Sequence, residues 1–74
     1  MPRKVRELKS DLRAEGFTVV PRQGKGSHTK WKHPLVPDRV TLSGNDGDDA
    51  HGYQERNVRD AINAANEARR RIVP

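Results

Sequence analysis

The sequence contains no cysteine, which excludes disulfide staples, thiolate metal sites and a cysteine nucleophile. Aromatics are scarce: Phe17, Trp31 and Tyr53 are the full set, and Trp31 is the only large apolar anchor in its region. No apolar run reaches the length of a membrane span, and the N-terminus lacks the apolar segment of a signal peptide. A soluble, cytoplasmic protein with no membrane contact is the expectation. Acidic residues are the minority charge, 10 Asp and Glu against 15 Lys and Arg, giving a net charge of +5. A small domain so charged favours an anionic partner, most often nucleic acid. The 74 residues read as one domain, 1–74. A chain of that size buries roughly 60% of the surface its unfolded form exposes.

Val5, Leu8 and Leu12 recur at helical spacing, and Gly16 follows where a left-handed residue would end a helix. The spacing predicts an amphipathic helix over 3–15. Phe17 to Val20 reads as a strand that Pro21 either ends or confines to a sheet edge. Residues 23–27 form a glycine loop. From His28 to Lys32 polar and apolar residues alternate. Trp31 and Thr29 then face the core, while His28, Lys30 and Lys32 share the opposite face. Residues 34–38 read as a turn, and Arg39 to Ser43 as a third strand. Gly44 to Gly52 is a connection without hydrophobic period. A long helix follows over 54–71, where Val58, Ile62 and Ala65 recur. The fold class is α+β in the order α-β-β-β-α: a three-stranded antiparallel sheet with two helices on one face. The other face stays open and carries His28, Lys30, Lys32, Arg39 and Thr41.

One stretch concentrates chemistry: Gly24-Lys25-Gly26-Ser27-His28, continuing to Lys32-His33-Pro34. A basic glycine loop lets backbone N–H groups and an ammonium approach a phosphate closely. A histidine directly after it can move protons near neutral pH. Together they suggest proton transfer beside a phosphodiester, as a small metal-independent ribonuclease would need.

The ordered set resembles the HicA-type mRNA interferases, the toxins of bacterial toxin–antitoxin pairs. The residues that carry the likeness are the N-terminal amphipathic helix, Gly16-Phe17, Gly26-Ser27-His28, Lys32-His33-Pro34 and Arg39-Val40-Thr41. A branch of the family also continues with segments like Leu42-Ser43-Gly44, Asp46 to Ala50 and Tyr53-Gln54-Glu55. Residues 3–65 take part. The resemblance implies a fold like that of double-stranded-RNA-binding domains, ribosome-independent mRNA cleavage and neutralisation by a HicB-type antitoxin. It maps the family's functional histidine onto His28. The chain departs from the pattern at Pro21, with its longer approach to the loop, and in the acidic segment 46–49.

On that basis His28 is the expected general base. Lys25 and the amides around Gly26 and Ser27 would stabilise the phosphorane, and Arg22, Lys30, Lys32 and Arg39 would hold the RNA. No cofactor or metal is expected. The alternatives are a non-catalytic RNA-binding module using the same face, or a small protein that docks an acidic partner. Several residues carry plainer assignments. Parity puts His33 opposite His28, while His51 remains a candidate acid in the connection. Ser27 is a turn hydroxyl and Trp31 a core residue. Tyr53 packs at the helix start rather than stacking on RNA. Asp46, Asp48 and Asp49 form a solvated loop, completing an antitoxin contact or lying near a helix N-terminus, rather than a metal site, and Arg69-Arg70-Arg71 a solvated terminus.

Overall fold

The computed structural model describes residues 3–21 and 28–72. They form α1 (Val5–Ala14), β1 (Thr18–Val19), β2 (Thr29–His33), β3 (Val36–Leu42) and α2 (Gly52–Ile72).

Helix α1 buries Val5, Leu8 and Leu12 along one stripe, as the 3.6-residue period requires. It starts two residues later than expected, because Lys4 is extended and lies at the N-cap. Lysine caps poorly, so the first helical N–H groups find acceptors elsewhere. Val5 N–H donates to the Asp48 carbonyl at 2.9 Å and Arg6 N–H to the Asp46 carbonyl at 3.2 Å. At the other end Gly16 adopts φ +96°. Its N–H donates to the Arg13 carbonyl at 3.1 Å, and Phe17 N–H to the Leu12 carbonyl at 3.0 Å. This is the paired bonding of a Schellman stop. A Cβ at Gly16 would also stand 3.1 Å from His33 Nε2, so both backbone and space call for glycine.

The sheet has the order β1-β2-β3, antiparallel throughout. Thr18 pairs with Lys32 and Val19 with Trp31; Lys30 pairs with Thr41 and Trp31 with Val40. Strand β1 is an edge, shorter than the expected 17–20. Val20 N–H still donates to the Lys30 carbonyl at 2.8 Å, after which Pro21 has no N–H to continue. The expected turn over 34–38 needs correction. Only Pro34 and Leu35 turn, and β3 already begins at Val36. Pro37 is tolerated because β3 is the opposite edge. The register shifts from Trp31↔Val40 to His33↔Val36, which leaves Pro37 to Arg39 as a bulge.

Val5, Leu8 and Leu12 of α1, Val58 and Ala65 of α2, and Trp31, Val40 and Leu42 of the sheet form one buried cluster. Both helices therefore cover the same sheet face. Trp31 is 1% exposed, the core residue that its parity requires. Its Nε1–H donates to Thr29 Oγ1 at 3.1 Å, and the Arg13 guanidinium lies 5.1 Å from the ring centroid. Burying an indole is worth at most about 4–6 kcal/mol on area grounds.

The acidic connection is more than a solvated loop. Besides its two carbonyls, it gives Asp49 to Lys4 Nζ at 2.5 Å and Asp46 to Lys9 Nζ at 2.6 Å. Ala50 N–H donates to the Arg3 carbonyl at 2.7 Å. The segment thus clasps the start of α1, where negative charge also suits the helix dipole. The Lys9 hydrogen bond, reinforced by that ammonium's charge, holds the Asp46 carboxyl below its ordinary range.

Helix α2 begins at Gly52, two residues before the expected 54. Gln54 is 1% exposed, yet its amide is satisfied at both ends. Its Oε1 accepts from His51 N–H at 3.0 Å, and its Nε2 donates to the Ser43 carbonyl at 3.0 Å and to Ser43 Oγ at 3.1 Å. At the far end Arg69 is not part of a solvated terminus. Its guanidinium donates to Glu15 Oε1 and Asn66 Oδ1 at 3.1 and 3.2 Å, and to the Glu15 carbonyl. Arg70 pairs only with Glu67 one turn back, and Arg71 is exposed. Among the described residues no helix is long and apolar enough to cross a membrane.

Candidate functional site

Alternation along β2 divides its side chains between two environments. Trp31 and His33 are buried, whereas Lys30 and Lys32 are exposed. Along β3 Val40 and Leu42 point into the core, and Arg39 and Thr41 outward. The pairings then juxtapose residues on the uncovered face. Lys30 lies opposite Thr41, and Lys32 opposite Thr18. Thr18 escaped the sequence reading, because the cross-strand register of a two-residue strand leaves no periodic signal. It adds a hydroxyl beside Lys32, a useful donor to a phosphate oxygen.

His28 is exposed and stands one residue ahead of β2, so it marks the end of the strand rather than lying within it. Leu42 pairs with Thr29, so His28 and Ser43 both lie just beyond this end of the β2–β3 ladder. Arg22, Lys25, Gly26 and Ser27, expected to surround the phosphate, lie outside the described residues.

Charge is distributed unevenly between the two faces. Among the described residues, Asp11, Asp46, Asp49, Glu15 and Glu67 are engaged by Arg3, Lys9, Lys4, Arg69 and Arg70. All five pairs involve the helices or the clasp. No described acid pairs with Lys30, Lys32 or Arg39. The cations of the uncovered face are therefore left to meet an external anion. Asp46 and Asp49 have ammonium partners, and Asp48 Oδ2 accepts from Asn45 N–H at 2.8 Å. Among the described residues no group of three His, Asp or Glu side chains is arranged to hold a metal ion.

The three histidines occupy different environments. His33 is 7% exposed, with both ring nitrogens engaged. Nδ1 accepts from Leu35 N–H at 3.0 Å, which fixes the neutral tautomer with the proton on Nε2. That nitrogen lies 3.1 Å from the Glu15 carbonyl. The ring also packs on Phe17, centroids 4.9 Å apart. His33 is therefore a structural link between β2 and the end of α1. His51 is exposed at the start of α2 and stacks on Tyr53, with centroids 5.6 Å apart and ring planes 8° apart. Tyr53 keeps 52% of its surface exposed. At the helix start it packs on His51 rather than into the core.

The arrangement offers an accessible imidazole at one end of a cationic face and lysines spaced along that face. It suits binding a polyanionic strand and moving a proton at one point along it. A family model described as the HicA toxin of bacterial toxin–antitoxin systems matches residues 5–66. Neither the curated proteins nor the solved structures gave a match.

Proposed function

Because this chain belongs to the HicA family of bacterial toxin–antitoxin toxins, we propose that it is a metal-independent endoribonuclease acting on mRNA, with His28 as general base. The observation that carries this reading is the contrast between the two histidines at either end of β2. His33 has both ring nitrogens committed inside the fold, whereas His28 is exposed beside a face of unpaired cations.

His28 takes the proton of a ribose 2′-OH, and the oxygen attacks the adjacent phosphorus. The bond to the 5′-oxygen breaks, and that oxygen takes a proton from solvent. The products are a 2′,3′-cyclic phosphate and a 5′-OH. Requiring the 2′-OH makes the reaction specific to RNA. Lys25 and the amides near Gly26 and Ser27 stabilise the phosphorane charge. Arg22, Lys30, Lys32 and Arg39 hold the strand through its phosphates. A HicB-type antitoxin neutralises the toxin, and a cationic face of this kind suits an acidic cover.

The test is cleavage of an mRNA in excess EDTA by the purified protein beside a His28→Ala variant of matched thermal stability. We expect cyclic-phosphate ends from the parent and a loss of roughly 10²–10⁴-fold in the variant. Equal cleavage by both would remove His28 from the role. RNA binding without cleavage by the parent would leave a binding module that uses the same face.

A further inference from the structure

The exposed ring pair at the start of α2 takes no part in the chemistry above, yet its position relates it to His28. Three features fix that position. Ser43 and His28 lie just beyond the same end of the β2–β3 ladder, because Leu42 pairs with Thr29. Gln54 Nε2 donates to both the carbonyl and the hydroxyl of Ser43. The same Gln54 accepts from His51 N–H through Oε1. One buried amide thus latches the His51–Tyr53 corner to the strand end beside His28.

The side of α2 on which Tyr53 stands matters as well. Positions 53, 57, 60 and 64 make one stripe along a helix, next to the stripe that buries Gln54, Val58 and Ala65. Asn57, Asp60 and Ala64 line a groove of about 260 Å³ whose other wall includes Arg39, Val40 and Thr41 of β3. Tyr53 therefore stands at the head of that groove, at the end nearer His28. Arg56 is exposed one turn on from Tyr53. Asp60 lies two turns along the stripe, away from this corner.

Two exposed, stacked and nearly parallel rings make a platform on which a nucleobase can add a further layer. Flat π-faces accept any base, and neighbouring cations hold the phosphates that link it.

We propose that His51 and Tyr53 form a base-stacking subsite for single-stranded RNA, holding a nucleotide near the one whose 2′-OH faces His28. The subsite selects unpaired RNA, since only a base released from a helix can join the stack. This inference rests on the ribonuclease reading for the nature of the strand, but it is read out by binding rather than by cleavage.

The test uses the full chain carrying His28→Ala, so that the RNA survives, and a short single-stranded RNA with 2-aminopurine at successive positions. Stacking quenches that base's fluorescence, whereas phosphate contact alone does not. We expect quenching at one or two adjacent positions. Tyr53→Ala should abolish the quenching and weaken binding about 5- to 100-fold, the range for losing one stacked base. Tyr53→Phe should retain both, and unchanged melting of both variants excludes unfolding as the cause. Equal affinity and quenching in Tyr53→Ala would overturn the subsite. So would an absence of RNA binding by the parent, which would leave the ring pair free for a protein partner. Cleavage by the chain with native His28, measured separately, shows whether the ribonuclease reading stands or falls on its own.

Discussion

Replacing His33 and replacing His28 should have opposite consequences. Removing the His33 imidazole leaves Leu35 N–H without its acceptor and opens a void beside Phe17. A truncation of that kind costs about 2–3 kcal/mol, which for so small a domain lowers Tm by roughly 10–20 °C. His33→Ala should therefore melt early and, below its melting point, cleave RNA at the parent rate per folded molecule. His28→Ala should melt with the parent and cleave far less. Thermal melting and a cleavage assay on the same preparations separate the two; early melting of His28→Ala would place its ring in the fold. Gln54 is another residue whose value lies in satisfied bonds. Gln54→Ala leaves the Ser43 carbonyl and His51 N–H short of a partner, at about 1–3 kcal/mol. Hydrogen exchange at the amides of residues 51–55 should accelerate more than elsewhere in α2.

For the elements, the start of α1 makes the strongest prediction about pH. The folded-state pKa of Asp46 is depressed, so its contribution is fully present above the ordinary carboxylate range. It is lost as pH falls through the depressed folded value. Asp46→Asn removes this dependence: melting curves taken between neutral pH and acid should show a shallower loss of stability than the parent. An identical acid limb would show that the Lys9 pair contributes nothing measurable. The same segment shows what sequence patterning reveals and what it hides. Alternation from Thr29 to His33 correctly divided Trp31 from the two lysines, because burial on one face imposes a period of two. Helical spacing found α1 and α2, and Gly16 marked a stop. The clasp was half legible: a place near a helix N-terminus was one reading of the acidic segment, but its backbone carbonyls, which any residue supplies, leave no signal in the sequence. The start of β3 was hidden by Pro34 and Pro37, whose usual meaning is a turn. A bulge on an edge strand removes that meaning. Gln54 and Arg69 looked like ordinary polar helix residues until their long-range partners were in place.

At the scale of the molecule, the five ion pairs among the described residues lie with the helices and the clasp, and the uncovered face keeps its cations. RNA binding by the His28→Ala protein should therefore weaken steeply with salt. Removing one phosphate contact should reduce the log–log slope by about 0.7, the value for single strands. Titrations of Lys32→Ala and Lys30→Ala at several salt concentrations check this; an unchanged slope would move the RNA path off the sheet. The fastenings of α1 bear on timing. Its start is tied to Asp49, 45 residues further along the chain, and its end to Arg69, 54 residues beyond Glu15. The hairpin of β2 and β3 can close early, since its contacts are local. Helix α1 is thus among the last parts to be locked, although it precedes the hairpin in the chain. A nascent chain stalled before Arg69 would carry a paired sheet whose His33 holds the end of α1, without the guanidinium that ties Glu15 to α2. A toxin built in this way fastens the end of α1 to α2 only once Arg69 has been synthesised.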